Sequence, residues 1–258
     1  MAGRLTAHGA VTGRPDAEGD GISRSSPMMM TGAWRRSVVC TALLALPLAS
    51  PLDWIEWGYR GLARHEVTRS AAGLRVSVNH SAGAIAYRLQ APVTVTGLSA
   101  TGRLEGRLAV TGPLQGQPGH DDYALRVGLV TKGDRRLGFF QRRLAPAWVR
   151  TLHDMAPAGS GISDVQFFNL GVEGATLNRQ RRHPLHELLR ETVVAVPCSD
   201  GTFSFTVALN TPVEVLGIWI GTDGDDTRST FTLLLTSLTL DGVEAGPGVL
   251  EPDAAHGR

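Results

Sequence analysis

Cysteine is nearly absent: Cys40 and Cys198 are the only two among 258 residues. Cys40 falls inside an apolar N-terminal run, so the remainder of the chain holds one thiol, can form no internal disulfide, and relies on packing for its stability. Cys198 follows an apolar run and precedes the turn Ser199-Asp200-Gly201, and it reads as a small buried hydrophobe rather than a nucleophile. An excess of either charge is lacking too. With 25 Lys and Arg against 24 Asp and Glu, the chain has no global positive field to draw nucleic acid. No glycine-rich phosphate loop follows a strand, no H-E-x-x-H pair occurs, no Ser-His-Asp order can be assembled, and no long-period repeat is present. Aromatic residues make up 6% of the chain, and beyond residue 59 the only tryptophans are Trp148 and Trp219, so stacking platforms for sugars are scarce.

What is present begins with Arg35-Arg36 and the apolar run Ser37 to Ala49. The run has the length of a signal-peptide core and falls short of the roughly 20 apolar residues of a spanning helix. Extended to Tyr59, it ends in Trp54, Trp57 and Tyr59, residue types suited to a membrane interface, and then reads as an uncleaved anchor. The arginine pair partly resembles a twin-arginine export signal, with Trp34 in place of the usual Ser or Thr. Cys40 lacks the small preceding residue of a lipoprotein signal, because Val39 stands there. A buried N-terminal helix of a cytoplasmic domain is the alternative, opposed by flanking prolines and interfacial tryptophans.

The expected organisation is a polar, disordered extension over residues 1 to 30 and a hydrophobic helix over 31 to 59, followed by one domain over 60 to 250 and a frayed tail over 251 to 258. The expected location is periplasmic or extracellular, with membrane contact through residues 37 to 59. Translation starting within Met28-Met29-Met30 would make the signal N-terminal.

The domain reads as strands divided by Gly and Pro. Gly73–Val78, Ala84–Leu89, Val93–Thr96, Arg103–Val110, Tyr123–Val130, Asp164–Leu170, Glu191–Val196, Thr202–Leu209, Val213–Ile220 and Thr230–Leu240 are apolar segments, several alternating with polar residues. One helix is predicted over Ala145–Met155, with Pro146 in its first turn. The sum is an all-β class: a two-sheet, jelly-roll-like sandwich with one or two short helices.

Two acidic turns stand out, His120-Asp121-Asp122-Tyr123-Ala124-Leu125-Arg126 and Thr222-Asp223-Gly224-Asp225-Asp226-Thr227. Together they resemble an uncharacterised bacterial family of exported proteins that carries similar Asp-Asp-Tyr/Ala-x-x-Arg and Thr-Asp-x-Asp-x-Thr segments. The resemblance covers about residues 70 to 242. It departs from that pattern in lacking tryptophans before the first motif and in holding a helix within residues 135 to 169. It implies a jelly-roll sandwich like those of carbohydrate-binding modules, and no established activity.

Asp223, Asp225 and Asp226 crowd carboxylates into a tight turn, as a structural Ca²⁺ site does, although Asp-Gly-Asp also serves as plain turn chemistry. Asp121 and Asp122 are candidate catalytic carboxylates for a glycoside hydrolase or lyase. Adjacent strand residues point to opposite faces, so both line one cleft only across a bulge or turn. Arg126 and Trp148 are the candidate ligand-binding side chains. His183-Pro184-Leu185-His186-Glu187 offers zinc-ligand types but fits a polar helix start better, and Arg179, Arg181 and Arg182 form a basic cluster suited to an acidic glycan or to a solvated loop. The functional expectation is an envelope binding or interaction module for polysaccharide or another envelope protein. A carbohydrate-active enzyme is the alternative.

Overall fold

The computed structural model describes residues 42–184 and 186–242. Along the chain lie β1 (Leu43–Ala45), β2 (Trp54–Gly58), β3 (Glu66–Ser70), β4 (Gly73–Asn79), β5 (Ala82–Arg107), β6 (Arg126–Gly133), α1 (Phe139–Leu144), α2 (Ala147–Asp154), β7 (Gly161–Leu170), β8 (Gln180–Arg182), β9 (Leu189–Ala195), β10 (Thr202–Asp223) and β11 (Thr230–Asp241). The strands form one hydrogen-bonded sheet ordered β3-β4-β11-β5-β10-β6-β7-β9-β8, with β1 added to β11 and β2 to β5. Only β7 and β9 run parallel. The expected all-β class with short helices is therefore what the chain adopts.

The two layers of the expected sandwich are halves of one hydrogen-bonded sheet, continuous through β5 and β10. The segments Ala84–Leu89, Val93–Thr96 and most of Arg103–Val110 belong to the single strand β5, and Thr202–Leu209 and Val213–Ile220 belong to the single strand β10. Pro92 and Pro212 mark breaks in the sequence, yet both fall at irregularities in the β5–β10 register, where Ala208 and Val213 pair with Gly97 and Val95, and Val215 and Gly217 with Val93 and Arg88. A proline at a bulge loses no ladder bond, and the bulge bends the strand instead of ending it.

The bend carries both halves of the sheet onto one core. Val76 and Leu233 from one half meet Leu129, Phe168 and Ile218 from the other in a single buried cluster. On the opposite face of β5, β6, β7 and β10, a second cluster gathers Ala86, Val130, Phe167, Leu189 and Trp219 under Leu152 of α2 and Met155 just beyond it. The Phe167-Phe168 pair splits between the two clusters, as alternation requires. Gly128 makes the second cluster fit, since a Cβ there would lie 2.7 Å from the Phe167 ring. The predicted helix is α2, with Pro146 as its N-cap. The described residues among 183 to 188 lie in turns rather than in a helix, and Leu189 then opens β9.

The N-terminal reading is corrected over residues 42 to 59. Leu43–Ala45 pairs with Thr239–Asp241, and Trp54–Gly58 pairs with Gly83–Tyr87, so this part of the expected helix is sheet. Leu46, Leu48 and Trp54 are only 7%, 5% and 9% exposed and belong to the main core. The tryptophans expected at a lipid interface pack inside the protein: Trp54 against Tyr87 at 5.0 Å between ring centroids, and Trp57 against Trp219 at 5.1 Å. No helix among the described residues is long and apolar enough to cross a membrane. Residues 1 to 41, which hold Arg35-Arg36 and all of the segment expected to be disordered, and the tail from 243 onward lie outside the described residues. Cys198 is exposed rather than buried, because it stands in the turn between β9 and β10.

Candidate functional site

The two acidic turns, a hundred residues apart in sequence, are stitched to one another. The N–H of Tyr123 donates to Asp223 Oδ1 at 2.6 Å, and the N–H of Asp223 donates back to the Tyr123 carbonyl at 3.1 Å. The N–H of Asp121 donates to Asp226 Oδ2 at 3.1 Å, and Thr227 N–H donates to Asp122 Oδ2 at 2.7 Å. Asp122 is buried and also accepts from the Thr227 hydroxyl and the N–H of Asp226, so it fixes the turn rather than facing a ligand. Gln115, equally buried, holds the loop from behind by donating to the Asp122 carbonyl at 3.0 Å and accepting from Val172 N–H at 3.0 Å.

Arg126, the first residue of β6, is the hub. Its Nε donates to Glu191 Oε1 at 2.9 Å, Nη1 reaches Asp223, and Nη2 donates to the Asp121 carbonyl at 2.8 Å and to Asp121 Oδ1 at 3.1 Å. Its guanidinium carbon lies 4.6 Å from the centre of the Tyr123 ring, a cation–π contact in a desolvated setting. Arg181 of β8 bonds both Asp121 and Glu191 from the other side. Burial pushes the Glu191 carboxyl upward, but Arg126 and Arg181 outweigh it and hold the group below the usual carboxylate range. His183 Nε2 stands 3.2 Å from Asp121 Oδ2. Burial holds the His183 imidazole below its ordinary value, with the positive charge of Arg126 acting in the same direction.

This network forms one wall of a cavity of about 200 Å³. Asp121, Arg126, His183, Asp223, Asp225 and Asp226 lie on the polar side, and Tyr59, Trp148, Phe167 and Trp219 supply rings. Trp219 sits at the centre of the aromatic set, 5.7 Å from Trp148 and 5.4 Å from Phe167 between centroids. Among the described residues no side chain donates to the Asp225 carboxylate. Burial, then the nearby Asp122, raises its pKa above the ordinary value.

All the residues singled out in the sequence as catalytic, ligand-binding or metal-ligating thus line one cavity, but in different roles from those expected. Asp223, Asp225 and Asp226 do not surround a common point: Asp223 is taken by Arg126 and Tyr123, while Asp226 is exposed and accepts from Asp121. Among the described residues the trio whose ligand atoms lie within 4.8 Å of one another is Asp121, His183 and Glu191. Arg126 and Arg181 pair with both carboxylates of that trio, so the cations beside them in this fold are guanidiniums. Arg179 donates to the Gln115 carbonyl, so two of the three arginines read as a surface patch face inward.

Glu191, Gln115 and Tyr59 were not legible as site residues, and Arg181 and Trp219 stood out only as part of a basic cluster and as one of two tryptophans. Glu191 carried a signal: in Leu189–Ala195 it occupies the apolar phase of an alternating strand, where a charge needs a partner.

A second titratable group holds the rim. His65 Nδ1 meets Ser81 Oγ at 2.9 Å and Nε2 meets the Thr222 carbonyl at 2.8 Å, and Gly83 is bare where a Cβ would lie 2.7 Å from the imidazole. Burial lowers the His65 pKa from 6.5. A depressed folded-state value contributes stability that is present above the unfolded pKa and is lost as pH falls through the folded one. The melting temperature is accordingly expected to drop as pH falls from about 6.5, and to drop less steeply in His65→Gln. Parallel pH profiles for the two proteins would refute this assignment.

No family model matches the chain, and no curated protein matches it either. Among solved structures it is similar to a xylan-binding module, CBM15, at 9% identity and a TM-score of 0.34, over 80% of this chain and 99% of that one. It is similar to Xylanase10C from Cellvibrio japonicus in complex with xylopentaose, at 9% identity and a TM-score of 0.32, over 80% and 29% of the two chains. A third likeness is to arcelin-5, a lectin-like defense protein from Phaseolus vulgaris, at 10% identity and a TM-score of 0.30, over 80% and 99%. These are loose likenesses of shape.

Proposed function

We propose that this chain is a binding module of the bacterial envelope, with a jelly-roll-like sandwich fold, whose cavity holds one ring of a neutral polysaccharide. The observation that carries the reading is the meeting of Tyr59, Trp148 and Trp219 with the carboxylates of Asp121, Asp225 and Asp226 in one cavity. A sugar ring has an apolar C–H face that stacks on aromatic rings and a rim of hydroxyls that donate to carboxylates. The volume is below the roughly 300–1,000 Å³ of sites for drug-sized ligands, which suits a single ring. Carboxylates outnumber guanidiniums along the polar wall, and like charge disfavours acidic sugars and phosphates.

A hydrolytic role is less well supported, because it needs two available carboxylates. Asp122 is locked in the turn, Asp121 is held by Arg126, Arg181 and His183, and Asp223 by Arg126, which leaves Asp225 and Asp226, neighbours on one turn rather than a pair flanking a bond. Export rests on residues upstream of Ala42, since Leu43 to Gly58 is built into the fold.

Titration calorimetry of the full chain against soluble neutral oligosaccharides is the test. Binding to at least one of them is expected, with Trp148→Ala weakening it about tenfold or more while the melting temperature stays near that of the wild type, because Trp148 is half-buried. Silence across neutral glycans, or equal affinity in Trp148→Ala, would overturn the reading.

A further inference from the structure

The most exposed apolar side chains of the described fold are not at the cavity. Phe139, Phe140 and Leu144, all on the short helix α1, are 78%, 77% and 85% exposed. The two phenyl rings meet edge to face at 5.5 Å between centroids and pack on each other rather than on the core. Single exposed hydrophobes need no explanation, but two aromatics and a leucine grouped on one two-turn helix form a patch, and patches of this kind mark interaction surfaces.

The charge around the patch is as uneven as the rest of the chain is balanced. Residues 134 to 154 hold five arginines and two aspartates. Arg142 is paired with Asp154 and Arg135 with Glu187, whereas Arg136, Arg143 and Arg150 have no acidic partner among the described residues. Arg142 and Arg143 also occupy the last turn of α1, where positive charge complements the helix dipole, and the Gln141 side chain accepts from Gly138 N–H at 2.9 Å to close its first turn. α1 thus presents large apolar side chains beside uncompensated guanidiniums, the composition that seats a short helix in the headgroup region of an acidic bilayer: rings enter the acyl boundary while arginines stay at the phosphates.

We propose that α1 is a membrane-docking element that holds the domain against a surface of anionic lipid, through Phe139, Phe140 and Leu144 with Arg136 and Arg143. The contact is independent of the cavity and of the ligand proposed for it. It also differs from the contact expected at residues 37 to 59, much of which the fold consumes.

The test is co-sedimentation of the full chain with vesicles of phosphatidylcholine alone and of phosphatidylcholine mixed with phosphatidylglycerol, at low and high salt. The wild type is expected to bind the mixed vesicles, to prefer them to neutral ones, and to release in salt. The double variant Phe139→Ser with Phe140→Ser is expected to bind about tenfold more weakly or less, and Arg136→Ser with Arg143→Ser to lose the preference for anionic lipid. Matching melting temperatures would confirm that the exposed substitutions leave the fold intact. Unchanged binding by the phenylalanine variant would locate membrane contact elsewhere in the chain and overturn the proposal. So would a wild type indifferent to lipid charge, or one that ignores vesicles and self-associates through the same two phenylalanines.

Discussion

Arg126→Ala will destabilise the domain by about 3–5 kcal/mol, the cost of stranding buried carboxylates without their cation. Three acidic groups meet this one guanidinium, and although Arg181 also reaches Asp121 and Glu191, Asp223 has no second guanidinium among the described residues. Glu191 is buried within β9, Asp121 is fixed by its place before β6, and Asp223 is tied to the backbone of Tyr123. None can swing out to water without breaking a strand or the paired turns. Arg126→Lys should rescue little, because an ammonium is a point charge and cannot reach Glu191, Asp121 and Asp223 together as the planar fork does. Adding Glu191→Gln to Arg126→Ala should recover part of the loss, since it removes the most deeply buried of the stranded charges. Urea unfolding at neutral pH measures all three. A loss below about 1 kcal/mol for Arg126→Ala, the value of an exposed pair, would mean that the network is far more hydrated than its burial indicates.

The second large effect concerns where the domain starts. A chain cut to begin at residue 60, the boundary the sequence suggests, is expected to show no cooperative unfolding transition. Such a cut removes β1 and β2 and takes Leu46, Leu48 and Trp54 out of the main core. Burial of side chains of this size contributes about 1.5–3 kcal/mol each, or about 5–9 kcal/mol for the three. Against a typical total stability of about 5–15 kcal/mol, that loss is comparable with the whole. The cut would also uncover the edge of β5 and leave Trp219 without Trp57. A chain beginning near residue 40 should melt as the full chain does, measured by circular dichroism on both; a sharp, full-sized transition in the shorter chain would show that β1 and β2 are dispensable.

That boundary was misread for a physical reason. Residues 43 to 58 are apolar because they fill a core, yet an isolated apolar run preceded by arginines has the composition of a leader whether it enters lipid or protein. What separates the two is a partner strand nearly two hundred residues away, and no local pattern reports it. The strands themselves were legible wherever one face is wet, as in Gly73–Asn79 and Thr230–Asp241. The length of β5 and β10 was hidden by Pro92 and Pro212, which signal a break locally and act here as bends. Both acidic turns could be picked out by composition. Their mutual hydrogen bonds could not, since these depend on β6 and β10 being neighbours. Arg181 reads as part of a basic cluster on a solvated loop and His183 as a polar helix start, because the carboxylates that meet them are Asp121 and Glu191, contributed by other segments.

The pairing of β1 with β11, Leu43 against Asp241, also sets an order of events. β1 leaves the ribosome long before β11, so it can dock only after Thr239 to Asp241 has emerged. Contacts of such long sequence separation are slow to form. Until then Leu46 and Leu48 have no finished core to enter, and the segment that carries them stays in the open while the nearly two hundred residues up to β11 are made.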